Sequence, residues 1–481
     1  MYRKRNREQI SIDDFVTPFG GKLNAKNRWV KMSQIIPWDM VEDIYAASFN
    51  KEKQGGRPPI ASRIAFGALY IKETENLTDE RTVEHISENN YMQYFLGLPE
   101  FNPNPLFDES MLTWFRKRFS KEELEKINEE IYRRTRPPEE TNDPPTIGSG
   151  ENKGKLILDA TVAPSDVRYP TDLSLLNECR EATEDMIECI WDKTERRGHK
   201  TSYNRKKARN KYLSVAKKRK PRRKQVLQVR REQLENVEKN LATLGNLLIE
   251  AGIDSLTEQQ IERLQTICEV ARQQRYHYEN PQASVPNRII DLRQPHVRPI
   301  VRGKAGREVE FGQKLALSVV DGYTFIEEQS WNNFSEGATL KDSAEKYHRR
   351  HGAYPEAILA DRTYRNRENL KFCKENGIRL SGPRLGRPKA PQLFADRNQA
   401  YKDNCERNTV EGLIGVEKRR YGLDLIMARL PHTSETEAAM NILCMNVAHV
   451  LRILLRTFSQ RLLFTVLFCD FSKYRRQLAA V

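Results

Sequence analysis

Two apolar stretches that each run into an aspartate, Leu156-Ile157-Leu158-Asp159 and Ala357-Ile358-Leu359-Ala360-Asp361, most constrain the fold of this 481-residue chain. Short apolar runs bounded by turn-formers read as buried strands, and an acid at the end of such a strand is aimed by fixed backbone. Downstream, Arg407-Asn408-Thr409-Val410-Glu411 offers a glutamate on a helical segment. Three carboxylates brought from two strand ends and a helix can hold a pair of divalent cations, and such a pair drives in-line attack at a phosphodiester. One such aspartate alone is better read as shaping the turn that follows. Two of them with the glutamate point to a nucleic-acid-cutting enzyme.

The charge agrees. Lys and Arg number 81 against 66 Asp and Glu, a formal charge of +15, so a polyanion is the natural partner. Between residues 196 and 224 lie fifteen Lys and Arg and no acid; without them positive and negative charges would balance. That segment includes Arg205-Lys206-Lys207 and Lys217-Lys218-Arg219-Lys220, interleaved with Tyr203 and Tyr212. A charge run is ordinarily a solvated face; one this pure is read as phosphate contacts.

Seven scattered cysteines, none paired at zinc-site spacing, read as reduced intracellular thiols. Met1-Tyr2-Arg3-Lys4-Arg5 is basic but lacks a following apolar stretch, so no export signal is visible. The apolar run at Leu462 to Cys469 is far short of a membrane span. A cytoplasmic, nucleoid-associated protein without a membrane partner is expected.

Residues 1–140 read as an all-α N-terminal domain, with helices through Ile60 to Ile71, Thr82 to Ile86, and from a Ser110 cap to Phe119. The last carries Trp114, Arg116, Lys117 and Arg118, which suits a DNA-reading module, or else a packing or dimerisation domain. Prolines and glycines over 141–152 mark a linker. Residues 153–172 and 291–435 then give strand, hairpin, helix, strand, helix, strand, a mixed α/β sheet interrupted by a basic helical insertion over 173–290. Asp321-Gly322 is a hairpin turn signal, so Asp321 is a turn residue. Residues 436–481 read as C-terminal helices packed on the sheet.

For the third acid, Glu406 and Glu417 compete with Glu411. Arg407 and Lys418 would share the helical face of Glu411, where the two cations could meet phosphates; a plain surface pair between Arg407 and Glu411 is the alternative.

With these residues in view, the chain resembles the DDE transposases of bacterial insertion sequences, in the group with a Y-R-E-K signature around the third acid. The resemblance runs through Gly56-Arg57-Pro58, Tyr94-Phe95-Leu96-Gly97-Leu98, Leu158-Asp159-Ala160-Thr161 and Arg298-Pro299-Ile300-Val301-Arg302-Gly303-Lys304. It continues through Ala360-Asp361-Arg362, Val410-Glu411-Gly412 and Lys418-Arg419-Arg420-Tyr421-Gly422-Leu423. Arg407, Glu411 and Lys418 fall at the signature's spacing; Asn404 stands at the tyrosine position, and Tyr401 lies about one helical turn earlier.

The resemblance implies an RNase-H-like catalytic fold that cuts double-stranded DNA at terminal inverted repeats and joins the ends to target DNA. It implies two Mg2+ ions, replaceable by Mn2+, on Asp159, Asp361 and Glu411, and a homo-oligomer, a dimer, at synapsis. Lys304 and Lys314 near the hairpin are candidate phosphate clamps. The rival expectations are a catalytically inactive DNA-binding regulator derived from a transposase, and a nuclease of the same fold that performs no strand transfer.

Overall fold

The structure, a computed structural model, describes residues 4, 9–49, 58–136, 152–193, 205–304, 307–382 and 392–478. Side chains are described for all of these except 193, 302–304, 307, 308, 392–396, 417 and 457–478. The expected linker over 141–152 and the motif Gly56-Arg57 lie almost wholly outside the described residues.

Seven helices come first: α1 (Arg28–Ile35), α2 (Trp38–Ala47), α3 (Ser62–Glu75), α4 (Asp79–Glu88), α5 (Asn90–Phe95), α6 (Met111–Arg118) and α7 (Lys121–Thr135). Strand β1 (Lys155–Pro164) follows, then α8 (Asp172–Lys193), α9 (Arg205–Ala216), α10 (Arg223–Ala251) and α11 (Glu258–Glu279). The rest is β2 (Arg298–Lys304), β3 (Arg307–Val320), β4 (Tyr323–Ser330), α12 (Leu340–His351), β5 (Ala357–Leu359), α13 (Arg367–Glu375), β6 (Arg379–Leu380), α14 (Gln392–Arg420) and α15 (Pro431–Leu478). The chain divides into two units: Met1–Pro164 with Lys314–Ser330 and Phe334–Val481, and Ser165–Gln313 with Trp331–Asn333.

In the first unit the strands lie in the order β4, β3, β1, β5, β6, with β3 and β4 antiparallel and β1, β5 and β6 parallel. The hairpin turn falls at Asp321-Gly322, both at positive φ (52° and 83°), as a two-residue turn between twisted strands requires. Residues 1–140, expected as a domain of their own, share one core with this sheet: Trp29, Phe66, Tyr70 and Phe95 belong to the same buried cluster as Leu156, Leu158, Tyr323 and Ile358.

The expected C-terminal helices are the single helix α15, whose first half, including Leu443 and Val447, is core. Asn446 of α15 donates to Asn128 of α7 (2.7 Å) and to the Thr324 carbonyl of β4 (2.7 Å), and accepts from Thr324 N (2.9 Å), tying the early helices to the sheet. The stretch Pro431–Arg456 is long and apolar enough to cross a membrane, longer than the 462–469 run noted in the sequence; 67% of its apolar window is buried inside the protein, as in a core helix.

The second unit is a bundle of α8 to α11 around Leu176, Ile187, Leu234, Val237 and Ile267, with β2 paired antiparallel to the first half of β3. This is the expected helical insertion, and its longest helix is α10. Arg180 is buried here, forked onto Glu184 (2.6 and 2.7 Å) and bonded to Gln233 and Asn177, so its five donors are largely used.

Two expectations for the N-terminal helices need correction. Ser110 precedes α6, but its hydroxyl donates to Asp108 instead of capping the helix. Arg116 is buried and forked onto Asp79 (2.6 and 3.0 Å), while Arg118 donates to the Ser48 carbonyl and stacks on Phe49. Only Lys117, lying over the exposed Trp114 ring at 4.6 Å, faces solvent from that trio.

Arg116 belongs to a buried charge group. Lys72 binds Glu73 (2.8 Å) and Glu437 (3.6 Å), and Glu437 also accepts from the amides of Met427 and Ala428. With Asp79 that makes three acids against two bases, one negative charge too many for an apolar setting. Burial, with Glu437 beside it, pushes the Glu73 carboxyl up to about 7 against the pull of Lys72 and Arg116. A raised folded pKa means that the native state holds a proton the unfolded chain releases. Glu73 therefore contributes stability at low pH that is lost as pH rises from the ordinary glutamate range towards 7. Thermal unfolding followed between pH 5 and 8 should accordingly show a shallower fall in Tm for Glu73→Gln than for the wild type; an equal slope would exclude Glu73 as the source.

Candidate active site

The parallel register places the two aspartates. Lys155 pairs with Ala357, Leu156 with Ile358 and Ile157 with Leu359. The pairing stops at Leu359, two residues before Asp361, so β5 delivers Asp361 just past its end, beside the strand that carries Asp159. Alternation along β1 sends Leu156 and Leu158 into the core and leaves Ile157 and Asp159 on the other face.

Asp159 does not end its strand as the sequence suggested: β1 continues through Thr161, Val162 and Ala163 to Pro164. The shorter partner is β5. Beyond Leu359 the Ser381 hydroxyl serves both backbone groups of Ala360, accepting from its N–H (2.9 Å) and donating to its carbonyl (3.1 Å). Asp361 then turns out of the sheet and caps a short helical turn, accepting from Arg362 N at 2.6 Å.

Helix α14 packs against β1 and β5 and brings the third acid. Its rotation is fixed by two ion pairs. Asp403, buried, forks onto Arg379 of β6 (2.7 and 3.0 Å), and Glu406 pairs with Lys155 at the start of β1 (2.7 Å). One turn on, Val410 is buried and Arg407 reaches towards Asp361, 3.9 Å away. Glu406 is thereby committed to Lys155, whereas Glu411 lies close enough to Asp159 for its charge to act there. The Glu417 side chain lies outside the described residues. Arg407 thus pairs with the second aspartate and not with Glu411. Lys418 is half-buried further along the same helix, and Asn404 and Tyr401 are exposed.

Burial pushes the Asp159 carboxyl up; the Ala160 amide (2.8 Å) and Arg407 draw it down, while Glu336 and Glu411 raise it further. Asp159 is thus an anion among anions, tempered by one guanidinium. Glu336 is the member that sequence reasoning missed. It sits in a turn before α12, outside any strand or acid motif, so no sequence pattern distinguishes it.

Other candidates take different places. Lys314 is no phosphate clamp: it is buried, paired with Glu336 (3.0 Å) and bonded to the Phe334 carbonyl (2.9 Å). The Lys304 side chain lies outside the described residues. In the second unit Arg205 is drawn into pairs with Glu184, Asp185 and Glu188. Lys206 and Lys207 of α9 are exposed, as are Lys217, Lys218, Arg219 and Lys220 at the turn before α10; Lys218 bonds Gln225 (3.0 Å). Residues 196–204 lie outside the described residues.

Carboxylates alone make an oxygen-only donor set, the chemistry that magnesium and manganese prefer. Among the described residues, no three His, Cys, Asp or Glu side chains are gathered closely enough to hold a metal ion, and Arg407 supplies the counter-charge beside Asp361. The donor types fit a dication, and the set stands open.

Two family descriptions match the chain: "Transposase DDE domain" over residues 358–448, which includes Asp361 and Glu411, and "Transposase domain (DUF772)" over residues 18–118. Among curated proteins, the chain is 30% identical over 156 residues to the uncharacterised protein ORF8 of the nfe locus of Rhizobium meliloti. That match covers 32% of this chain and 69% of the relative. No solved structure matches. On these matches, read with the order of its motifs, the chain belongs to the DDE transposases of insertion sequences.

Proposed function

We propose that this chain is a catalytically competent transposase that cuts double-stranded DNA at the terminal inverted repeats of its element and joins the ends to target DNA, on an RNase-H-like frame. The observation that supports this reading is the parallel pairing of β1, which carries Asp159, with β5, which leads into Asp361, while Arg407 of α14 comes within 3.9 Å of Asp361 and the charge of Glu411 acts on Asp159. Asp159, Asp361 and Glu411 would hold the divalent cations. Bound there, magnesium or manganese supplies activation of a water or a 3′-hydroxyl and neutralises charge on the leaving oxygen.

The chain's own residues do the rest. The Arg362 amide fixes the Asp361 carboxylate, and the Ala160 amide fixes that of Asp159, so two ligands are aimed before any cation arrives. Arg407 holds the negative cluster in check in the free protein and turns to phosphate once a cation takes over that charge. Lys418, on the same helix, contacts DNA further along. The exposed cations Lys206, Lys207, Lys217, Lys218, Arg219 and Lys220 grip the DNA backbone without reading sequence. Two ends must be held at once, so the working form is an oligomer, a dimer at synapsis.

In an assay of magnesium-dependent cleavage of DNA carrying the element's ends, Asp159→Asn, Asp361→Asn and Glu411→Gln should each bind DNA but lose cleavage by about two to three orders of magnitude, the scale of removing one group that stabilises the transition state. If the wild type binds and does not cut, the DNA-binding regulator takes the place of this reading; if it cuts without joining, the nuclease does.

Replacing Lys217, Lys218, Arg219 and Lys220 together by alanine should weaken binding to all sequences alike. It should also reduce the slope of log K against log salt by about 3 to 4, from a loss of about 0.9 per phosphate contact. An unchanged slope would leave these residues as a solvated turn.

A further inference from the structure

Glu336 is held beside the candidate site by a clasp between two turns. The buried Asn369 side chain donates to the Gly337 carbonyl (2.6 Å) and to the Tyr364 carbonyl (2.8 Å), tying the turn before α12 to the turn after Asp361. Gly337 lies against the Thr363 carbonyl so closely that a Cβ there would stand 2.6 Å from the oxygen, so the two turns fit only with glycine at that position. Glu336 Oε1 meets Lys314 at 3.0 Å, and Lys314 is itself fixed by the Phe334 carbonyl and lies over the Phe334 ring. The carboxylate is therefore held by Lys314 of β3, and the turn that carries it is tied to the turn after Asp361.

Tyr364 supplies the second, independent observation. Its side chain is 1% exposed, and its hydroxyl has Thr339 beside it but no partner in good hydrogen-bonding geometry. The charges that bear on that hydroxyl are those of Glu336, Asp159 and Asp361, in that order. A buried phenol donor with only Thr339 beside it, on which the charges of three carboxylates bear, costs free energy unless a carboxylate is drawn onto it.

We propose that Glu336 is a fourth carboxylate of this site and that Tyr364 is the buried donor that orients it towards the cation, an inference that rests on Asp159 and Asp361 being cation ligands. Lys314 occupies one oxygen of Glu336; the other is free to turn inward as the cation gathers the acids. The Tyr364 hydroxyl then donates to a carboxylate fixed in place, which makes Tyr364 a positioning residue that never touches the DNA. Outer partners of this kind commonly govern how tightly a site holds its metal.

Mn2+ binding to the full-length protein without DNA, measured by calorimetry, tests this apart from catalysis. Tyr364→Phe should weaken Mn2+ binding about ten-fold, the scale of a lost outer partner, and Glu336→Gln by at least as much. The Tm of the metal-free protein should not fall in Tyr364→Phe, because the hydroxyl removed there is poorly satisfied. If Asp361→Asn loses Mn2+ while Glu336→Gln and Tyr364→Phe bind it like the wild type, the inference falls and the reading of the aspartates stands. If Asp361→Asn also binds like the wild type, both fall. Should Glu336→Gln fail to fold, Tyr364→Phe decides, because it leaves the Lys314 pair intact: wild-type Mn2+ affinity in that variant overturns the proposal.

Discussion

The parallel pairing of β1 with β5 is the constraint on which the candidate site depends. A slip of one residue would turn Asp159 towards the core and Leu158 out of it, because side chains alternate along a strand. The register is held from both ends. Leu156, Leu158 and Ile358 are packed into the shared core, and Ser381 takes over the backbone of Ala360 where the pairing stops. Asp361 is therefore not a loosely placed loop residue, although it lies outside regular structure.

Bringing acids together has an electrostatic cost, and the structure meets it with a few specific cations. Arg407 stands 3.9 Å from Asp361, Lys314 binds Glu336, Arg379 binds Asp403, and Lys155 binds Glu406. These pairs differ in purpose. Those of Asp403 and Glu406 fix the rotation of α14, and with it the direction of Glu411. The cation beside Asp361 sits on an exposed carboxylate, where a competing ion can replace it at small cost. The buried group around Lys72, Glu73 and Glu437 meets the same problem with a raised Glu73 carboxyl in place of an additional cation.

The second unit concentrates the surplus charge of the protein in a helical bundle, and its cations are not equivalent. Arg205 is consumed by three acids of α8, while the run at 217–220 projects from the turn between α9 and α10. Arg116 and Arg118 in the first unit are likewise spent on internal contacts. Counting basic residues in a sequence therefore overstates the cations available to a polyanion.

The sequence by itself determined the periodic elements: the helix through Ile60 to Ile71, the hairpin at Asp321-Gly322, the strands around Leu158 and Ile358, and the helices of the insertion all follow from apolar spacing and turn chemistry. The spacing of Arg407, Glu411 and Lys418 was legible because a single helix sets it. What the sequence could not give was contact between segments far apart in the chain. That Arg407 pairs with Asp361, that Glu406 is drawn off to Lys155, that Glu336 and Tyr364 join the acids, and that α15 ties the early helices to the sheet are matters of packing. Local propensity carries no information about a partner on another element, so only the tertiary structure decided them.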